Sequence, residues 1–394
     1  MSTFRERLEQ WKAGSLTLEE EAAVREEIDK AEAIDEYLSE RFDELLPMPE
    51  DSEDSAAGKR IARTVSLRLW RTILLILLLL SLAVGAVVIG CDLYYYNPNK
   101  GIQPHFGGDG QLTIDMLAFT ELHSAGYSFS QAEAYRDGPG SYQVYLSHYS
   151  LTSGTQQSVA TRIVRGRVPG NTERGREDYW HFPMGNAFGY RQGVMLNMDE
   201  NGNESRNPDS ADTQNVFDEL QKLPSSSRVS VYVSFPQDLS MEQFVSLYEK
   251  WDDRLSFLYA AVWGRTPPFN TTIGFAPDSG GSVLENLPEE YPYFQLLGLR
   301  DELKENRAEI WEQHFRSLVD YLANRPDFIA TMIGVNGIDA AYYKDVQRYI
   351  DENGVKLYGT LIQGSTEDIL AYLEEEPFYD LYVDHVRLSI LGKG

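Results

Sequence analysis

The run from Ile73 to Cys91 contains no charged residue, and thirteen of its nineteen positions are Leu, Ile or Val. At a rise of about 1.5 Å per residue, a helix of this length spans roughly 28 Å, close to the thickness of a bilayer's hydrocarbon layer. The aliphatic residues favour insertion, and no charge in the run opposes it. The sequence therefore predicts one transmembrane helix over residues 72–91, which divides the chain into two parts.

The charges beside this run set its orientation, because the side richer in Lys and Arg is retained in the cytoplasm. Residues 59–71, just before the run, contain five basic and no acidic side chains, whereas Asp92 and Lys100 are the nearest charges after it. Trp70 and Tyr94–Tyr96 fit the aromatic residues that sit at headgroup level. We therefore expect a single-pass protein of the cell membrane, with its N-terminus cytoplasmic and its C-terminus extracytoplasmic.

Cys91 is the only cysteine of the chain and follows Val88-Ile89-Gly90. Small residues before a cysteine are typical of bacterial lipoprotein processing sites, so lipidation is one interpretation. A signal sequence lies at the start of a chain, however, and this site lies far from it. The other interpretation is a harmless thiol at the outer end of a helix. In both cases the outer part has no disulfide and depends on its core for stability.

Both soluble parts of the chain are acidic. Residues 1–58 contain 6 basic and 18 acidic side chains, and residues 72–394 contain 24 and 43. Because phosphate backbones bind basic surfaces, direct nucleic-acid binding by the inner part is not expected. Its acidity instead suits a basic protein partner, although acidity would also simply keep a small helical unit soluble.

Residues 1–46 carry two signals for the start of a helix. Thr3 with Glu6 and Thr17 with Glu20 each match the capping box, in which two side chains satisfy free backbone donors. Apolar residues recur at helical spacing at Phe4, Leu8 and Trp11, and then at Val24, Ile28, Ala31, Ile34, Leu38, Phe42 and Leu45. The pattern predicts an all-α helical hairpin.

A hairpin of this size has little interior, so it cannot bury all of its apolar faces by itself. The following residues, 47–71, are first acidic and rich in Pro and Ser and then basic, which is typical of a flexible juxtamembrane linker. We therefore expect a tethered helical unit whose apolar stripe is covered by another molecule.

The chain beyond the span begins with residues 92–110, which are rich in Asn, Pro and Gly and predict an extracytoplasmic linker. Residues 111–200 are predicted to be a membrane-proximal β-rich region. Its segments TIDMLAFTELHSAGYSF, SYQVYLSHYS and TRIVRGRV together predict two or more strands, with an Arg- and Gly-rich loop over residues 165–176. Residues 201–227 are predicted to be a loop that separates this region from the next.

Residues 228–394 alternate strands with helices. The segment Val229–Phe235 alternates apolar and polar residues, which predicts a half-buried strand, and Ser240 then opens a helix. A strand, a helix and a strand recur at the end in VKLYGTLIQGSTEDILAYL and LYVDHVRLSIL, where Gly364-Ser365-Thr366 opens the helix. Between them, Gly354 ends one helix, and another has an apolar face formed by Trp311, Phe315, Leu318 and Leu322. The order predicts an α+β domain with helices layered on a mixed sheet.

The sequence contains no recognisable catalytic or metal-binding motif. Its histidines lie at positions 105, 123, 148, 181, 314 and 385, and none has the spacing of metal ligands. Neither a Gly-x-Ser-x-Gly nucleophile motif nor a phosphate-binding Gly-rich loop is present. Aromatic segments such as YPYF at 291–294 suit sugar stacking or, more simply, core packing. We therefore expect no enzymatic activity, no cofactor and no metal.

Several segments resemble the membrane-bound sigma-factor-regulator family of Gram-positive bacteria. They are FRERLEQWKAGSLTLEEEAAVREEIDKAEAIDEYL at the start, FTELHSAGY and GPGSYQVYL after the span, and VYVSFPQDLSMEQF, AAVWG, TIGF and VKLYGTLIQGSTEDILAYL beyond. The resemblance covers nearly the whole chain in the right order. Many other anti-sigma domains carry a His-x-x-x-Cys-x-x-Cys zinc motif. The matching positions here are Glu27, Ala31 and Ile34, so no such zinc site can form.

The resemblance implies a membrane anti-sigma factor whose inner helices sequester an extracytoplasmic-function sigma factor and whose outer domain responds to envelope state. A second membrane protein is a further candidate partner. The residues implied to contact the sigma factor are Phe4, Leu8, Trp11, Leu16, Leu18, Val24, Ile28, Ala31, Ile34 and Leu38. The alternative is a cell-surface wall- or glycan-binding protein with an acidic cytoplasmic tail.

Overall fold

The computed structural model describes residues 11, 18–45, 55–100, 110–169, 188, 210–265, 272–277, 289–333 and 338–388. The chain divides into two compact units, residues 1–83 and residues 84–394. The second is here called the outer unit, and the part of it beyond residue 110 the outer domain, after the location predicted from the sequence.

Apart from Trp11, which is also helical, the described residues before position 95 belong to two long helices. Helix α1 covers Leu18–Leu45, and helix α2 covers Ser55–Tyr94. The stretch Val65–Tyr94 is long and apolar enough to cross a membrane, and none of its most apolar window is buried. The predicted span therefore lies within one helix. Residues 55–71, predicted as flexible linker, are helical as well, because their Ala, Leu and Arg residues favour helix.

After the end of α2, the outer unit continues with helix α3, Gln111–His123, in the region predicted to be β-rich. Nine of its residues are buried, among them Met116, Phe119 and Leu122. A helix that is covered around its whole circumference loses the one-sided apolar pattern by which sequence identifies surface helices. The prediction from the sequence missed helix α3 for that reason.

A three-stranded antiparallel sheet follows, formed by β1, Tyr127–Gly138, β2, Ser141–Ser150, and β3, Gln156–Val164. Its strand order is the order of the chain. The segment SYQVYLSHYS forms β2, as predicted, whereas TRIVRGRV contributes only the last four residues of β3. Val144 and Leu146 are fully buried in the main core, whereas Tyr145 and Tyr149 on the other face are exposed.

The remaining elements begin with a helix inside the segment predicted as a loop. They are α4, Ser210–Gln221; β4, Arg228–Leu239; α5, Met241–Trp251; β5, Ser256–Val262; β6, Gly274–Phe275; α6, Arg300–Ala323; α7, Pro326–Phe328, with a π-helical turn over Ile329–Ile333; α8, Ala340–Asn353; β7, Leu357–Ser365; α9, Thr366–Glu375; and β8, Asp380–Arg387.

The second sheet has the strand order β6-β5-β7-β4-β8, and each of its hydrogen-bonded pairs is antiparallel. Because β7 is antiparallel to both β4 and β5, these two strands run in the same direction with β7 between them. In the same way β4 separates the parallel strands β7 and β8. Two β-α-β units therefore interlock, as in ferredoxin-like folds. The prediction of a mixed sheet was wrong, because each parallel pair is separated by an antiparallel strand.

Both faces of the central strands are covered. Val229, Val231 and Val233 belong to the main core, which also contains residues of helices α5, α6, α8 and α9. Tyr232, on the opposite face, is only 4% exposed and packs against Phe188, with 4.9 Å between ring centres. The prediction that this strand is half-buried was therefore wrong, because a second apolar cluster covers its polar face.

The helix boundaries of this domain follow local signals that the sequence displays. Ser240 and Gln243 form a complete capping box at the start of α5. The Ser365 side chain accepts from the backbone N–H of Asp368 at the start of α9. Gly354 follows α8 with φ of 73°, a conformation that only glycine adopts readily. These predictions are confirmed.

Two buried histidines pack inside the outer unit as neutral groups. His123 Nδ1 lies 2.8 Å from the carbonyl of Thr272, to which it must donate, so Nε2 accepts from the Tyr343 hydroxyl at 2.9 Å. His148 Nε2 lies 3.2 Å from the Thr120 hydroxyl. Burial lowers the pKa of each imidazole from 6.5 to about 4.

Acidification is expected to destabilise the outer unit through these histidines. Unfolded imidazoles bind protons near pH 6.5, whereas the folded ones resist protonation down to about pH 4. The unfolded state therefore binds more protons in this window, and the stability present above pH 6.5 falls as the pH is lowered. Melting temperatures measured across the window in detergent test this. A double His123→Gln/His148→Gln variant should show a flatter profile, and a wild-type melting temperature independent of pH would contradict the assignment.

Candidate functional site

Helix α1 presents an uncovered apolar surface. Ile34, Tyr37 and Leu38 are 60%, 57% and 54% exposed, and Ala31 is exposed beside them. Residues three and four positions apart are neighbours on a helix, so these four side chains form one surface, here called the α1 patch. Tyr37 was absent from the predicted contact residues, although its spacing from Ile34 marks it as a member.

The other predicted contact residues are placed differently. Val24 is fully buried, and Ile28 and Trp11 are half-buried. Leu18 is the first residue of α1, and its side chain lies outside the described part, as do Phe4, Leu8 and Leu16. The predicted stripe therefore divides into a covered portion near Val24 and an uncovered portion at the α1 patch.

Acidic side chains surround the α1 patch. The 28 residues of α1 include twelve acidic and three basic side chains. Two of the bases are already paired within the helix, Lys30 with Glu26 at 2.6 Å and Arg25 with Glu21 at 3.6 Å. An apolar surface bordered by free carboxylates suits a partner with exposed apolar side chains and basic residues around them.

Metal ligands do not gather at α1 or elsewhere in the described ranges. Of Glu27, Ala31 and Ile34, the positions that the resemblance matched to a zinc motif, only the first has a side chain that can bind a metal. Within the residues that the structure describes, no group of three or more His, Cys, Asp or Glu side chains could hold a metal ion.

A second set of contacts fixes the outer end of α2 to the outer domain. Asp92, in the last helical turn, accepts from the Arg136 guanidinium at 2.5 Å and from the Tyr142 hydroxyl at 3.0 Å. The Tyr95 ring lies against two glycines, since an added Cβ would be 3.2 Å from it at Gly140 and 3.4 Å at Gly166. These residues were predicted to belong to a linker, but they pack on the outer domain.

The next residue, Tyr96, enters a buried polar cluster around Asp115. Arg325 donates to both carboxylate oxygens of Asp115, at 2.7 and 2.9 Å. The hydroxyls of Tyr321 and Tyr96 donate at 2.6 and 2.8 Å, and the Gln111 amide donates at 3.2 Å. One carboxylate therefore joins the chain beyond α2 to helix α3, helix α6 and the turn after it. This set of five residues is here called the Asp115 cluster.

Burial and hydrogen bonding have opposite effects on the pKa of the Asp115 carboxyl. Asp115 is fully buried, and burial raises the pKa of its carboxyl, although hydrogen bonds from Arg325, Tyr321 and Tyr96 offset part of that effect. The ion pair outweighs burial at Arg325, so the pKa of its guanidinium is raised. Sequence reasoning missed the cluster because Asp115 and Arg325 lie 210 residues apart, without a local pattern that relates them.

Replacing Asp115 by Asn is expected to destabilise the outer unit by about 3–5 kcal/mol, because Arg325 would lose its buried counter-charge and keep only the half-exposed Asp327 at 3.5 Å. Urea unfolding in detergent measures this effect. Limited trypsin digestion should also cleave faster after Lys100, because Tyr96 would lose its partner.

Asp301→Asn is the matched control for that substitution. Its side chain is 96% exposed and pairs only with Lys304, three residues away, so a change within about 0.5 kcal/mol is expected. Equal effects of the two variants would show that the Asp115 cluster does not hold the outer unit together.

Comparison with known proteins identifies the region that contains Tyr321 and Arg325. Residues 269–384 match the family described as "Sigma factor regulator C-terminal". No curated protein and no solved structure matches the chain. The matched range includes β6, helices α6 to α9, β7 and most of β8, whereas β4, α5 and β5 precede it. Residues 269–384 are therefore a sigma factor regulator C-terminal domain, the family to which the sequence resemblance pointed.

Proposed function

We propose that this chain is a single-pass membrane anti-sigma factor that holds an extracytoplasmic-function sigma factor through its cytoplasmic N-terminal helices. The observation that carries the proposal is the sigma factor regulator domain at residues 269–384. Proteins of that family are regulators rather than enzymes, and regulation of a sigma factor requires contact with it.

The α1 patch supports the assignment of the contact surface. Ile34, Tyr37 and Leu38 each expose more than half of their surface to solvent, and they are adjacent. Removing such side chains from water on binding is favourable by roughly 1.5 kcal/mol or more for each. The acidic residues around the patch would meet basic residues of the sigma factor and orient its approach.

The membrane topology of the proposal follows from α2 and its flanks. The five basic residues among positions 59–71 favour a cytoplasmic location for the part that precedes the span. The sigma factor regulator domain would then lie outside the cell. There it would respond to envelope state or to a second membrane protein.

Signal transfer would use the contacts at the outer end of α2. Because Asp92, Tyr95 and Tyr96 are bound to the outer domain, a rearrangement of that domain would act on the last turn of α2. A ligand outside the cell changes the hold on the sigma factor only if it binds two arrangements of the outer domain with different affinities.

The double variant Ile34→Asp/Leu38→Asp is expected to release the sigma factor. Burial of these two side chains contributes roughly 3 kcal/mol, which corresponds to about a hundredfold in affinity. Full-length chain purified in detergent, with each extracytoplasmic-function sigma factor of the host offered in turn, provides the measurement. Both positions are exposed, so the helix itself should persist, whereas a charge at the buried Val24 would disturb the unit.

Ala22→Asp/Ala23→Asp is the matched control, because both positions are exposed on α1 and lie at least eight residues before the α1 patch. This variant adds the same charge and should retain the sigma factor. If both double variants bind equally well, the α1 patch is not the contact surface; if no sigma factor binds even the wild-type chain, the proposed function is wrong.

The alternative of a wall- or glycan-binding surface protein has no support from the family match, which is to a regulator of transcription. The same binding experiment separates the two, because a surface protein with an acidic tail has no sigma factor as its partner.

A further inference from the structure

A tight turn at the end of β3 carries two arginines, Arg165 and Arg167, and the first of them has an unusual backbone conformation. Val164 N–H donates to the carbonyl of Arg167 at 2.7 Å, and Arg167 N–H donates back at 3.2 Å. Arg165 and Gly166 between them have φ of 49° and 70°. Positive φ at both central positions is the pattern of a type I′ turn, in which Asn, Asp or Gly normally occupies the first position. Here Arg165 occupies the first central position, where arginine is disfavoured.

The turn lies beside the outer end of α2. Gly166 packs against the ring of Tyr95, the residue that follows the helix. Arg165 N–H donates to the carbonyl of Gly140 at 2.7 Å, and a Cβ at Gly140 would be 3.3 Å from the Cβ of Cys91. If α2 spans a bilayer, this turn is therefore at the level of the outer headgroups.

Positive charge is concentrated at this place. Arg136 and Arg162 neighbour the turn and are paired with Asp92 and Asp137, at 2.5 and 2.7 Å. Arg165 and Arg167 are exposed, and within the described part of the chain neither forms an ion pair. The surface thus has an excess of positive charge in a part of the chain, residues 72–394, that contains 43 acidic and only 24 basic side chains.

We infer that Arg165 and Arg167 bind the phosphate groups of anionic phospholipids in the outer leaflet of the membrane that α2 crosses. Guanidinium groups bind phosphate oxygens with paired hydrogen bonds, and basic residues near a membrane surface are attracted to anionic lipids. Strained backbone conformations occur preferentially at functional sites. The positive φ of Arg165 is such a conformation, and it lies at a charged residue of this turn. The inference rests on the membrane span of the proposed function and not on the sigma factor.

Hydrogen exchange of the full-length chain in lipid nanodiscs tests the inference. Discs of phosphatidylcholine alone are compared with discs that also contain phosphatidylglycerol, and exchange is followed over residues 161–169. The anionic lipid should slow exchange there by at least about tenfold, and added salt should reduce the effect. The double variant Arg165→Asn/Arg167→Gln should lose this dependence, with an unchanged or higher melting temperature because Asn suits the turn.

A matched control, Lys304→Gln/Arg348→Gln, removes the same charge from exposed sites on α6 and α8 and should keep the lipid dependence. Equal exchange in both kinds of disc, or protection by added poly(glycerol phosphate) but not by phosphatidylglycerol, would overturn the inference while leaving sigma binding untouched. Failure of the chain to insert into either disc would overturn the membrane span, and with it both proposals.

Discussion

The buried carboxylate of Asp115 joins parts of the outer unit that are far apart in the chain. Tyr96 follows the membrane-competent helix, Gln111 lies on α3, and Tyr321 and Arg325 belong to the sigma factor regulator domain, yet all four donate to the same two oxygens. A fully buried charge tolerates no missing partner, so this arrangement has little freedom to loosen gradually. We therefore expect the contacts between the outer domain and the chain at the end of α2 to break together rather than one by one.

The second sheet shows why the matched family segment is not a self-contained fold. Strand β4 lies between β7 and β8, and β5 lies on the other side of β7, but β4 and β5 both precede residue 269. A fragment limited to residues 269–384 would lack both neighbours of β7. Helix α3 contributes to the main core and Phe188 to the second apolar cluster, and both precede β4 in the chain. The folded body of the regulator therefore needs most of the chain beyond the span.

Local patterns predicted local features well. The apolar run gave the membrane-competent helix, and the residues Ser240, Ser365 and Gly354 marked helix ends that the structure reproduces. Prediction failed where burial removes the pattern, as in α3 and on the second face of β4. It also failed for contacts between residues that are far apart in the chain, because no residue near Asp115 in the sequence indicates that Arg325 pairs with it. The division of the α1 stripe into covered and exposed portions likewise depends on packing that spacing alone does not specify.

The central claim is that the α1 patch touches a sigma factor inside the cell. A photo-crosslinking amino acid placed at position 34 of the full-length chain in living cells tests it most directly, with position 22 on another face of α1 as the reference. The account predicts an ultraviolet-dependent adduct between position 34 and an extracytoplasmic-function sigma factor, and none from position 22. A sigma factor adduct from position 22 alone, or none from either position, would contradict it.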